Sequence, residues 1–374
     1  MAAGVAPETG LGVLPIGQFV IQIDAADLLV GFLDDGDLAV TFEHFHREHA
    51  LHHGRHAVGQ ARAQPTPHAG AGEVRVRLHA SAVNPADTNR TVGRTYAMEG
   101  PLIIPNSDGA GVVDQIGAGV DPAWLNKRVW LYNGQRGGRL LGTAAETIAL
   151  NVDLVSALPD NTGFNEGACL GIPCMTAHRC VSLGGDLQGK TVLVTGGAGA
   201  VGHYAVQWSK RFGARVIATV SSDEKAVHAQ AGGAAHVINY KTENVIERVR
   251  AITGNAGVHH VVDVDFGGNL ATTLPLLAVN GSIAYYVTKG NPTPTITAPE
   301  LMRKNLSIHA VLLNNAPHAA RKRAQNDIVA WLHEGGMVHS VSSVFPLANT
   351  AGAHEAVEYR PKNGTVVVDC ANTL

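Results

Sequence analysis

The chain is poor in cysteine: Cys169, Cys174, Cys180 and Cys370 are the four in 374 residues. No two of them form a Cys-x-x-Cys pair, which excludes a disulfide framework and leaves buried thiols in a reducing compartment, the cytoplasm, as the expectation. Charge of one sign is also scarce. The 28 Lys and Arg against 31 Asp and Glu leave −3 at pH 7, so no basic face for nucleic acid is written here. No apolar run reaches the roughly 18 residues of a membrane span. No basic stretch followed by an apolar one opens the sequence, so no secretory signal is read. Hydrophobic content of 45% is that of an ordinary globular chain, long enough for two domains.

What is present is a glycine turn in context. In KTVLVTGGAGAVGHYAVQWSKRF (190–212), Thr191–Val194 is a short apolar β run. Gly197, Gly199 and Gly202 follow as G-x-G-x-x-G, and Val201, Tyr204, Ala205, Trp208 and Phe212 recur at helical spacing. Between a strand and a helix, such glycines make a tight turn, let a pyrophosphate approach the backbone and let helix and strand pack closely. The phosphates would sit on the helix N-terminus, against Gly197, Gly199, Ala200, Val201 and Gly202.

The next strand decides which dinucleotide. RVIATV (215–220) does not end in the Asp or Glu that holds a ribose 2′-hydroxyl. It runs into Ser221, Ser222 and Asp223, with Lys225 close behind and Tyr240 closing the following strand. Hydroxyls, an ammonium and a phenol suit a 2′-phosphate, hence NADPH. Asp223 dissents, and is read as the cap of a helix starting at Glu224.

Around this motif the pattern changes along the chain. Residues 1–64 read as an atypical extension that need not be folded, with histidines at 44, 46, 49, 52, 53 and 56 spaced too irregularly for a metal site. From Pro65 to 164 short alternating strands such as EVRVRLH (73–79) predict a small β domain. Strands at 191–195, 215–220, 236–240, 259–265, 282–288 and 306–313 alternate with helical patterns at 200–212, 223–232, 243–253 and 269–278. That alternation predicts an α/β fold with a doubly wound parallel sheet over 165–304. Residues 305–374, with a helix at 319–334 and a strand at 365–369, complete the first domain.

These residues carry a family resemblance. GEVRVRLHASAVNPADTNR (72–90), IPNSDGAGVVDQIGAGV (104–120), GIPCMTAHR (171–179), the glycine stretch and VIATVSSDEK…HVINY (216–240) resemble a zinc-free medium-chain dehydrogenase/reductase of the quinone oxidoreductase (zeta-crystallin-like) group. The resemblance implies a GroES-like β domain interrupted by a Rossmann domain, and NADPH held at its 2′-phosphate by Ser221, Lys225 and Tyr240. It implies pairing into a homodimer through the last Rossmann strands, with Ile283–Val287 as the edge. Thr176, Val311–Asn315 and Asn363–Gly364 would lie near the nicotinamide. Three departures stand out. Where zinc-dependent relatives carry Gly-His-Glu, this chain has Asn106, Ser107 and Asp108, and Cys174 lies displaced from the third ligand position, so no metal is expected. Asn89 occupies an inner tyrosine position of many quinone reductases. The usual N-terminal strand is not recognised.

The implied chemistry is hydride transfer to a small-molecule acceptor, a quinone or an α,β-unsaturated carbonyl; a non-catalytic NADPH-binding module would share the glycine turn. Asn84, Ser107 and Tyr96 are the catalytic candidates, with Thr88 as a further hydroxyl. Asp87 and Asp108 read better as turn caps than as acids, and His178 and His203 as packed side chains.

Overall fold

The computed structural model describes residues 36–43, 60–91 and 102–372. The alternating second half closes into a six-stranded parallel sheet ordered His236–Asn239, Arg215–Val220, Thr191–Val194, Val258–Asp263, Leu277–Tyr285, Ser307–Ala310. Thr191–Val194 is central and buried along its whole length, which is why it reads as a continuous apolar run rather than an alternation. From it the chain moves outward through Arg215–Val220 to His236–Asn239, then returns to the other side as Val258–Asp263. The reversal leaves a crevice at the C-terminal ends of Thr191–Val194 and Val258–Asp263, where ligands of such sheets bind.

The second sheet is ordered Val341–Pro346, Thr365–Asp369, Glu73–Val83, Asp108–Ile116, Arg128–Leu131, Val155–Ala157, and Thr147–Asn151 also pairs with Glu73–Val83. Along Glu73–Val83 burial alternates at Val74, Val76 and Leu78 and becomes continuous from Ala80. The strand starts at the surface and ends inside, delivering Asn84 to a buried position. The lead-in to Thr365–Asp369 meets the glycine turn directly. Gly364 N donates to Ala198 O at 3.1 Å, and Gly364 bridges to Gly199. Gly364 has φ +86, and a Cβ there would lie 2.1 Å from Ser340 Oγ, so only glycine lets the lead-in to Thr365–Asp369 reach the glycine turn.

Several expectations change. Ile283–Tyr285 is not an edge: it pairs with Val261–Asp263 on one side and Ile308–Ala310 on the other. The edge beyond it is Ser307–Ala310, which the sequence reading put in the returning segment. Two strands fall within residues 1–64, where none is recognised in the sequence: Gly36–Glu43 pairs antiparallel with Gln60–Pro65 and with Leu102–Ile103. Helices Ala298–Lys304 and Thr350–Tyr359 go unread because each is short. The histidines at 44–56 and Tyr96 lie outside the described residues. Among the described residues no helix is long and apolar enough to cross a membrane.

Imidazoles shielded from water stitch the parallel domain to its surroundings. His260 bonds Ser282 Oγ (2.7 Å) and Cys180 O (2.9 Å). His203 bonds Val338 O (3.0 Å) and stacks on His228 with ring centroids 4.2 Å apart. His339 meets Tyr204 Oη at 3.0 Å. Burial holds His203, His260 and His339 down at about 4, from an ordinary 6.5. The unfolded chain therefore takes up these protons first as pH falls. Stability should be full above pH 6.5 and be lost between 6.5 and about 4, the two fully buried rings His203 and His260 each withdrawing on the order of 3 kcal/mol. Thermal melts over the range from pH ~8 to ~4 should show Tm falling through this window; a flat Tm would contradict the neutral, buried histidines.

Candidate active site

The glycine turn is set by crowding. Gly196 adopts φ +64. Gly196 N donates to Thr219 Oγ1 (3.2 Å) and Gly197 N to Thr219 O (2.9 Å), so the end of the neighbouring strand props the turn. A Cβ on Gly197 would lie 2.7 Å from Ala218 Cβ, and one on Gly202 would lie 2.1 Å from Gly196 O. The first and third glycines are thus required by packing. Gly199 is different: a Cβ there would meet only Gly196 O, at 3.3 Å. It caps helix Ala200–Arg211 in extended conformation with no side-chain cap bond. The helix N-terminus accordingly offers its amides and dipole to an anion, as a pyrophosphate needs. Ala200 and Val201 open that helix.

Past Arg215–Val220 the chain brings Ser221, Ser222 and Lys225 together. Lys225 Nζ donates to Ser221 Oγ at 3.1 Å. Ser222, not Asp223, caps helix Asp223–Ala231, accepting from Lys225 N at 3.4 Å; Asp223 is that helix's first residue, a correction to its reading as cap. Tyr240 is half exposed, and its amide bonds Val220 O. Asn363 reaches over from the other sheet, its Nδ2 donating to Glu224 Oε1 at 2.9 Å. Sequence reasoning misses Lys362, next to it. Burial, and then the charges of Lys225 and Lys289, hold its ammonium below the usual lysine range. Three lysines that lie far apart in sequence therefore crowd one another here, and nothing in the local pattern announces it.

The other half of the site is a buried polar network around Asn84. Asn84 N donates to Asp87 Oδ2 (2.9 Å), and Asn84 Nδ2 to Asp108 Oδ2 (2.7 Å). The same Asp108 oxygen accepts from Ile172 N at 2.9 Å. Asp87 Oδ1 accepts from Ser107 Oγ (2.7 Å) and from Arg136 Nη2 (3.0 Å). Asn84, Asp87, Ser107 and Asp108 are all buried. The two carboxyls differ in company. Asp87 has a guanidinium. Asp108 has two neutral donors, and its Oδ1 has no hydrogen-bond partner among the described residues. Burial, reinforced by the charge of Asp87, raises Asp108 well above the usual carboxylate range.

This refines two expectations. Asp87 does cap a turn, but Asp108 is a cross-link. It ties the Asn84 loop to the π-helical turn Leu170–Cys174, where Gly171 (ψ −115) is needed because a Cβ would fall 2.2 Å from Asp108 Oδ1. Ser107 commits its hydrogen to Asp87 and can offer a ligand only lone pairs. Thr176 is buried in the first turn of helix Met175–Ser182, whose cap position is Cys174, so it is not the cap. Cys174 is fully buried and its thiol is pushed up to about 12, unlike a metal-binding thiolate. Among the described residues no three His, Cys, Asp or Glu side chains converge as metal ligands. His178 bonds Asp327 Oδ2 (2.8 Å) and lies edge-on to Trp208. It and His203 are packing residues. Arg136, which neutralises Asp87, lies in no motif and is found only by the fold.

Comparison with known proteins joins these halves. The family model for the alcohol dehydrogenase GroES-like domain matches residues 70–160, and that for zinc-binding dehydrogenase matches 200–334. Quinone oxidoreductase of Rattus norvegicus is 30% identical over 288 residues, 76% of this chain and 85% of the relative. A 2-haloacrylate reductase of a Burkholderia species is 29% identical over 313 residues, 80% and 91% of the two chains. The solved quinone oxidoreductase of Thermus thermophilus, also determined with NADPH, superposes with TM-score 0.72 at 27% identity, covering 89% of this chain and 99% of that one. With a glycine turn at the sheet crevice and relatives matched across both sheets, the chain belongs to the quinone oxidoreductase family of the medium-chain dehydrogenases/reductases, which makes it an NADPH-dependent oxidoreductase.

Proposed function

We propose that the acceptor is a quinone, reduced by NADPH between the glycine turn and the Asn84 network. The observation that carries the cofactor half is Lys225 bonded to Ser221 at the end of Arg215–Val220, where an NAD site would place a carboxylate. NADPH, when bound, supplies the hydride. The chain's own residues do the rest. The amides opening helix Ala200–Arg211 bind the pyrophosphate, with Gly199 leaving room for it. Ser221, Ser222, Lys225 and Tyr240 bind the 2′-phosphate, and Asn363, expected near the nicotinamide, instead borders the adenosine end, because it bonds Glu224 beside Lys225. Asn84, held through Asp87 and Asp108, orients its second amide hydrogen for an acceptor oxygen, and Thr176 lines the nicotinamide end. Asp108 holds a proton at a site where the product needs one. The homodimer of this reading forms across the free edge of Ser307–Ala310, and the cytoplasm is its compartment.

Two experiments test the reading. Oxidation of NADPH followed by its absorbance should be faster with 1,4-benzoquinone and 9,10-phenanthrenequinone than with an enal or 2-chloroacrylate; faster turnover of the alkenes would move the assignment to alkene reduction, as the Burkholderia relative's name indicates for that protein. Lys225→Ala removes one charge-assisted bond to the 2′-phosphate. It should weaken NADPH binding by about 10- to 100-fold and leave NADH binding within about threefold, measured by fluorescence titration. An equal loss for both nucleotides would contradict the placement of the 2′-phosphate.

A further inference from the structure

One residue beside the Asn84 network has no role in the reaction as drawn so far. Gln135 is fully buried, and neither Oε1 nor Nε2 of its side chain has a hydrogen-bond partner among the described residues. Two residues earlier, Asn133 Oδ1 is also buried without one among those residues, on a backbone held at φ +57. Burying an amide unbonded is unfavourable, and a methionine or leucine would fill the same space without that loss. The location is equally specific. Gly134 N donates to Ser107 O at 2.7 Å, and Arg136 Nη2 donates to the Asp87 oxygen that also accepts from Ser107 Oγ. The residues on both sides of Gln135 are thus pinned to the two halves of the Asn84 network, and Gln135 cannot be moved to solvent without breaking it.

We infer that Gln135 is an acceptor-binding residue, and that its amide takes the oxygen of the acceptor carbonyl. The inference rests on the proposed reaction. An amide suits a quinone couple because it carries a donor and an acceptor at once and does not titrate. Nε2–H donates to the quinone carbonyl. After reduction the same oxygen bears a hydrogen, which Oε1 accepts once the amide has flipped about its last side-chain torsion. A carboxylate, a hydroxyl already committed to Asp87 or a guanidinium could serve only part of this exchange. A site lined this way discriminates against acceptors lacking an oxygen at that position, since they would leave the amide unpaired.

The test compares the full-length wild type with Gln135→Met, which keeps the length of the side chain and removes both polar atoms. Gln135→Ala serves as the second variant if the methionine variant does not fold. With 1,4-benzoquinone the KM for the quinone should rise about tenfold or more, the loss of one good hydrogen bond, while the KM for NADPH stays within about twofold and Tm is unchanged or higher. An unchanged quinone KM together with a raised Tm would overturn the inference, because the amide would then be a cost to folding with no ligand. If the wild type reduces only enals, the quinone reading fails, but the comparison is made on the enal carbonyl and the same loss is expected. A wild type that turns over neither class overturns both.

Discussion

The fold depends on the closeness of approach at the glycine turn. Gly202 lies so near the carbonyl of Gly196 that a Cβ would fall 2.1 Å away. Because no side chain stands between them, helix Ala200–Arg211 starts directly over the end of strand Thr191–Val194. Its N-terminus then points into the crevice formed where the strand order reverses. The same bareness admits Gly364, bridged to Gly199. The returning segment of the antiparallel sheet can therefore close over the turn.

A second constraint is electrostatic. Two carboxyls are buried within one network, and the network tolerates them by treating them differently. Arg136 matches Asp87, whereas Asp108 is left to amide donors and is held above the usual carboxylate range by burial. Asn84 is the piece they share, its backbone amide bound to one and its side chain to the other. Through Asp108 and Ile172 the Asn84 loop is linked to the kinked helical turn that enters the parallel domain. The Asn84 loop is thereby made rigid from both sides, which is the supporting arrangement a preorganised site requires.

Much of this was legible in the sequence, for reasons that can be named. The glycine turn and the strand Thr191–Val194 announce themselves because both signals are local: spacing on one side, a continuous apolar run on the other. The proposal that Ser221, Lys225 and Tyr240 hold a 2′-phosphate rests on equally local signals. Arg136, Lys362 and Gln135 were not, since each acts through residues distant along the chain that only the fold brings near. Gly36–Glu43 has apolar residues at Leu38, Val40 and Phe42, a strand alternation masked by the irregular composition around it. The misplacement of the sheet edge at Ile283–Val287 came from stopping the parallel sheet too early. Ser307–Ala310 lies inside the strand read at 306–313, but the domain boundary drawn at 304 assigned it to the returning segment. The role of Ser107 could not be read either, because a hydroxyl's commitment to Asp87 depends on a contact 20 residues distant.

The central claim is that Lys225 and Ser221, the glycine turn and the Asn84 network line one NADPH site from its 2′-phosphate to its nicotinamide. A crystal structure of the protein grown with NADPH tests this most directly. The account predicts the pyrophosphate on the amides of Ala200 and Val201, the 2′-phosphate on Lys225 and Ser221, and the nicotinamide ring within van der Waals reach of Asn84 and Thr176. A nucleotide bound with its 2′-phosphate turned away from Lys225, or with its nicotinamide directed away from Asn84, would contradict it.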